Sequence, residues 1–202
     1  MQAYGKGEFQ MSDTAQGFRT LAKSYLASGQ FLWLALRSGE LQLHFDAPIF
    51  ANLAHSLELA IKASLLENGK TLLEVEALRH DLKKLYQALP FDRKNDIESH
   101  VRSSWRHLLR KARDENEASI QSLGISSPEI LREFGILSNS EIGSQLPEWK
   151  NDLRWLSDRH KRKGSIFRYY EEHIDQRQNI AAFGLNLDTV PQSTVWTIEA
   201  LL

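Results

Sequence analysis

Three features of the sequence predict an all-α fold. Apolar residues recur at three- and four-residue intervals through most of the chain. Capping residues, glycines and prolines stand where those runs begin and end. Only Leu41-Gln42-Leu43-His44-Phe45 alternates like a strand, and it reads better as an extended connector than as part of a sheet.

The elements follow in order. Residues 1 to 11 read as a loose leader. Ser12-Asp13 can cap a helix running to about Arg37, with Phe18, Leu21, Ala22, Tyr25, Leu32 and Leu36 on helical spacing; Gly29 allows close approach and Gly39 ends the run. Asp46 can cap the next helix, with Pro48 tolerated in its first turn. Ile49, Phe50, Leu53, Ala54, Leu57, Ala60, Ile61 and Leu65 form a wide apolar face, extended by Leu59 and Leu66, so this helix is enclosed on more than one side. Glu58 and Lys62 stand four apart, acid before base, as a structural ion pair does. Asn68-Gly69 terminates the helix, and a linker leads to Arg79-His80-Asp81-Leu82. There Asp81 is a plausible N-cap, Leu82, Leu85 and Leu89 share a face, and Pro90 stops the turn run.

Asp92 then caps a third long helix with the stripe Ile97, Val101, Trp105, Leu108 and Ala112, ending near Asn116 or at Leu123-Gly124. Ser127-Pro128-Glu129 starts one or two turns, and Gly135 to Gly143 reads as a loop. Pro147 opens a helix whose face carries Trp149, Leu153, Leu156 and His160, ended by Gly164-Ser165. Beyond Arg177, Gly184, Pro191 and the β-branched run Thr194 to Ile198 suggest an irregular tail, extended on the bundle or mobile.

The stretch from Phe50 to Leu89 resembles the HEPN superfamily (higher eukaryote and prokaryote nucleotide-binding domain). The matching residues are Ala54-His55-Ser56-Leu57-Glu58-Leu59-Ala60-Ile61-Lys62-Ala63, then Gly69, then His80-Asp81-Leu82-Lys83-Lys84-Leu85. Arg168-Tyr169 fits the Arg-Tyr that often stands near the end of such domains. The resemblance implies an antiparallel helical bundle of four to five main helices. On that template residues 1–176 form one domain, the region of about 120–147 is an insertion, and 177–202 is the C-terminal tail. It further implies an RNA- or nucleotide-binding module, of the kind found in toxin–antitoxin and phage-defence systems. Such a module works as a homodimer, or with a protein partner such as a nucleotidyltransferase-type antitoxin.

Size and composition agree with a globular chain. At 202 residues it is long enough for a substantial core, and 42% hydrophobic with 25% charged residues is ordinary. There are no cysteines, which excludes disulfides and thiolate metal sites. The start lacks a signal pattern, and no apolar run reads as a membrane helix, so a cytoplasmic protein is expected. The net charge of −1 hides an uneven distribution.

Catalytic HEPN proteins are metal-independent ribonucleases that use Arg, four to six residues, then His. The chemistry suits the residues: an imidazole moves the ribose 2′-hydroxyl proton and a guanidinium stabilises the phosphorane. Five pairs have that spacing: Arg37/His44, Arg93/His100, Arg102/His107, Arg154/His160 and Arg168/His173. Chance alone supplies about one or two, so position decides. Arg154/His160 and Arg168/His173 lie best in chain order and are the candidate catalytic residues. Two basic stretches are candidates for phosphate contact. One carries Arg102, Arg106, Arg110 and Lys111, and the other Lys161, Arg162 and Lys163 followed by Tyr169, whose ring could stack on a base. The alternative for both is a solvated helix face or positive charge complementing a helix C-terminus. Trp105 and His55 are assigned to the core and His80 to fixing its turn. No phosphate-cradling glycine loop, H-E-x-x-H spacing or nucleophile elbow is present, so no metal or cofactor is expected.

Two classes of function remain from sequence. One is a non-catalytic module binding RNA, a nucleotide or a protein partner. The other is a metal-independent endoribonuclease with an Arg/His pair at a dimer cleft.

Overall fold

The computed structural model describes residues 11–41, 46–124, 149–160 and 189–202. Among them there are seven helices and no strand: α1 (Met11–Arg37), α2 (Asp46–Glu67), α3 (Leu72–Ala77), α4 (Leu82–Ala88), α5 (Phe91–Ser122), α6 (Trp149–His160) and α7 (Thr189–Leu201). The fold is an all-α bundle. The alternating stretch after Leu41 lies outside the described residues.

Helix α2 is the axis of the bundle. Ile49, Phe50, Leu53, Ala54, Leu57, Ala60, Ile61 and Leu65 are all essentially inaccessible, at 0–1% exposure, and Leu59 packs partly buried against them. Its residues Ala47–Glu67 are long and apolar enough to span a bilayer by length and composition. This corrects the reading that no such run exists. Most of its apolar window, 72%, is buried within the bundle, as expected of a core helix. Gly69, at φ +87°, ends it in the left-handed conformation that glycine adopts without a Cβ penalty.

α1 runs antiparallel to α2. Arg19 forks onto Glu67 with two 2.6 Å hydrogen bonds, Ser56 Oγ donates to the Ala22 carbonyl at 2.7 Å, and Gly29 faces Leu53. The glycine permits the contact: a Cβ there would stand 2.9 Å from Leu53 Cδ2 and 3.0 Å from its Cγ.

The linker before Asp81 contains a helix the sequence reading left out. Thr71-Leu72-Leu73-Glu74 is a capping box: the Glu74 amide donates to Thr71 Oγ1 and the Thr71 amide donates to Glu74. Asp81 does cap α4, accepting from the Lys84 amide at 3.1 Å. α5 begins differently from expectation. Pro90 occupies the N-cap with no side-chain bond, and Asp92 lies inside the first turn. The helix does not break at Asn116 but runs 32 residues, about 48 Å at 1.5 Å per residue. Its apolar stripe stops being core early. Ile97 and Val101 are buried and Trp105 is partly so, but Leu108 and Ala112 are exposed.

α6 presents the expected face, with Trp149, Leu153, Leu156 and His160 all buried. The largest departure is at the C-terminal end. Thr189–Leu201, expected to be irregular or extended, is a helix packed against α2, α5 and α6. Val195, Ile198 and Leu201 recur at three and enter the same core as α2. Burial on helical spacing outweighs the β-propensity of Thr194, Val195, Thr197 and Ile198. The boundary placed at 177 therefore separates α7 from a core that it helps to build. The insertion proposed at 120–147 lies mostly outside the described residues.

Two glycines of α1 should respond oppositely to alanine. Gly17 is exposed, with nothing within 4 Å of a new Cβ, so Gly17→Ala should stabilise by about 0.5–1 kcal/mol through helix propensity. Gly29→Ala should destabilise by about 1–3 kcal/mol, because a Cβ there overlaps the fully buried Leu53 and forces it to repack. Urea unfolding of the two variants beside wild type measures both.

Candidate functional site

A buried carboxylate joins three elements. Glu58, in the middle of α2, is 3% exposed. Lys62, one turn on, donates to its Oε1 at 2.6 Å. His160, the last residue of α6, places Nε2 2.6 Å from Oε2. His80, in the turn before α4, places Nδ1 3.0 Å from both oxygens. Burial by itself would raise the Glu58 pKa. The hydrogen bonds from His160, Lys62 and His80 outweigh burial and bring it from 4.5 down to about 2. An ionised carboxylate only accepts, so the hydrogens lie on His160 Nε2 and His80 Nδ1.

Local structure delivers each group. Glu58 and Lys62 share a face because they are one turn apart. His80 reaches Glu58 because the preceding Arg79 adopts φ +53°, the left-handed region where a side chain costs roughly 1–2 kcal/mol. Ser157, one turn before His160, accepts from the Lys83 amide at 3.1 Å and donates to Asp81 at 3.3 Å. The Arg79–Leu82 turn is thus held from α6 by Ser157 and from α2 by Glu58. His55, one turn before Glu58, is half-buried. Its ring meets His160 edge-on at 4.9 Å and tilts against Tyr25 at 5.4 Å.

The predicted site residues fare unequally. Arg154 and His160 are not brought together: Arg154 is exposed and His160 is 5% exposed. Six residues along a helix turn through about 240°, so the two point to different sides. His160 pairs instead with Glu58, 102 residues away. Arg168, His173, Lys161, Arg162, Lys163 and Tyr169 lie outside the described residues. On α5, Arg102 is bound to Glu98, which also takes Lys150 at 3.1 Å, and Lys111 stands 3.8 Å from Glu115. Arg106 and Arg110 have no carboxylate partner among the described residues. The Glu58–Lys62 pair is present as expected, but it is half of a larger cluster. His55-x-x-Glu58, two metal-ligating side chain types one turn apart on a largely apolar helix, is the signal available in sequence.

Comparison with family models, curated proteins and solved structures returns no match for this chain.

The depressed Glu58 pKa carries a sign. A folded-state value below the unfolded one contributes stability that is fully present above about pH 4.5 and lost as pH falls toward 2. Shifting from 4.5 to about 2 corresponds to about 3 kcal/mol. Glu58→Gln should therefore cost about 3 kcal/mol at pH 7, and the gap to wild type should close between pH 4.5 and 2. Guanidinium unfolding across that range tests this.

Proposed function

We propose that the chain is a HEPN-like, RNA- or nucleotide-binding module that acts as a homodimer in the cytoplasm. The resemblance over Phe50–Leu89 supports the family. The main physical support for binding is the outer half of α5. Beyond Trp105 the helix leaves the core, and Arg106 and Arg110 stand there without carboxylate partners among the described residues, flanking the exposed His107. Arg110 is exposed and Arg106 half-buried with its Nε inaccessible, and a guanidinium without a carboxylate partner among the described residues can take a phosphate oxygen. Arg102 and Lys111 are partly neutralised by Glu98 and Glu115, so the contact centres on Arg106 and Arg110.

The non-catalytic reading is preferred to the ribonuclease reading for one reason. His160 has its Nε2 committed to a buried carboxylate, and Arg154 faces elsewhere. Of the two candidate catalytic pairs, Arg168/His173 is then the one left to an endoribonuclease. The homodimer, or contact with a protein partner such as an antitoxin, draws support from Phe31 and Leu34. They lie one turn apart on α1 and are 71% and 62% exposed.

Filter binding of a mixed RNA pool over a salt series tests the reading. The logarithm of the affinity should fall linearly with the logarithm of the salt concentration. Arg110→Ala should weaken binding evenly across sequences and reduce the slope by about 1. Salt-independent binding, or none, would count against it. Cleavage of the same pool in EDTA, abolished by His173→Ala, would favour the enzyme. The dimer is tested by size-exclusion mass: wild type should run at twice the chain mass and Phe31→Glu as a monomer.

A further inference from the structure

We propose that His55, Glu58 and His160 form a binding site for one divalent transition metal of the zinc class. Each offers one ligand atom, and the three atoms lie within 4.8 Å of one another. Two imidazole nitrogens and one carboxylate oxygen are a donor set suited to zinc, nickel or cobalt rather than to magnesium or calcium.

The scaffold is rigid on both sides. His55 and Glu58 are three residues apart on α2, the most deeply buried helix, so they project from one face. His160 closes from the end of α6, which Ser157 ties to the Asp81 turn. Glu58 and His160 are buried, His55 is half-buried and the His80 side chain on Glu58 is exposed, so the metal would enter past His55 or His80. The surrounding groups already orient the carboxylate. Lys62 holds Oε1 and His80 spans both oxygens, as outer partners do around metal-bound carboxylates.

Metal binding requires the three ligand atoms, now spread over as much as 4.8 Å, to draw in around the ion while the closest pair opens. His160 Nε2 and Glu58 Oε2 are 2.6 Å apart, a hydrogen-bond length. Two ligands on one tetrahedral zinc stand about 3.3 Å apart, given bonds near 2.0–2.1 Å. The pair must therefore separate by less than about 1 Å. His160 then gives up the hydrogen on Nε2 and binds through that nitrogen. Sequence spacing could not show this site, because its third ligand is 102 residues from Glu58.

The test uses the full chain, stripped with EDTA and dialysed free of chelator. Cobalt(II) is titrated in while its visible d–d absorption is followed, zinc is then added to displace it, and bound metal is counted by mass spectrometry. One cobalt per chain, displaced by zinc, is expected. His55→Ala is chosen because its half-exposed position lets the fold persist, which circular dichroism verifies. It should weaken binding by about 100-fold or more. His107→Ala, at an exposed position on α5, should bind as wild type does. A folded wild type that gives no absorption band and retains no zinc overturns the proposal. So does a His55→Ala chain that binds as well as wild type.

Discussion

The bundle depends on an ionised carboxylate kept out of water. Removing Glu58 from solvent is costly, and only a complete set of donors offsets that cost. Lys62 supplies the compensating charge from the same helix, His160 supplies an N–H from α6 and His80 one from the turn before α4. Such a carboxylate is intolerant of misplacement. If α6 slid or the Arg79 turn relaxed, an oxygen would lose its donor inside the core. The cluster therefore fixes the register of α6 and of the α4 entry on α2 more sharply than apolar contact, which is non-directional.

The same reasoning explains the strain nearby. Arg79 holds a left-handed backbone that costs free energy, and the next two residues show what the turn achieves. His80 turns onto Glu58 and Asp81 caps α4 while receiving Ser157. A helix start, a buried charge and an interhelical contact are thus served by three consecutive residues. This arrangement gives the His80-Asp81-Leu82 stretch a physical role whatever ligand the protein takes.

Much of the fold was legible because its signals are local. The apolar spacing of α2, the stop at Gly69 and the Asp81 cap each depend on residues within a few positions. The misses divide into two kinds. The capping box Thr71–Glu74 stands plainly in the sequence, inside a stretch that reads as linker. α7 was obscured, because Thr194 to Ile198 favours strands, and only the three-residue spacing of Val195, Ile198 and Leu201 points the other way. The candidate site was legible only in fragments. Glu58–Lys62 lies on one helix turn and could be seen; the approach of His160 depends on how α6 packs. Arg154 shows the limit of spacing alone, since a pair with suitable separation can point to different sides of one helix.

The placement of α7 bears on how the chain matures. Its buried face completes the groove between α2, α5 and α6, yet it is made after all of them. During synthesis the apolar side of α2 must wait, partly uncovered, while more than a hundred further residues are added. Contacts this distant along the chain form late and slow the closing of a core. The nascent protein therefore passes through a stage in which its most apolar helix is a target for chaperones or for another nascent copy.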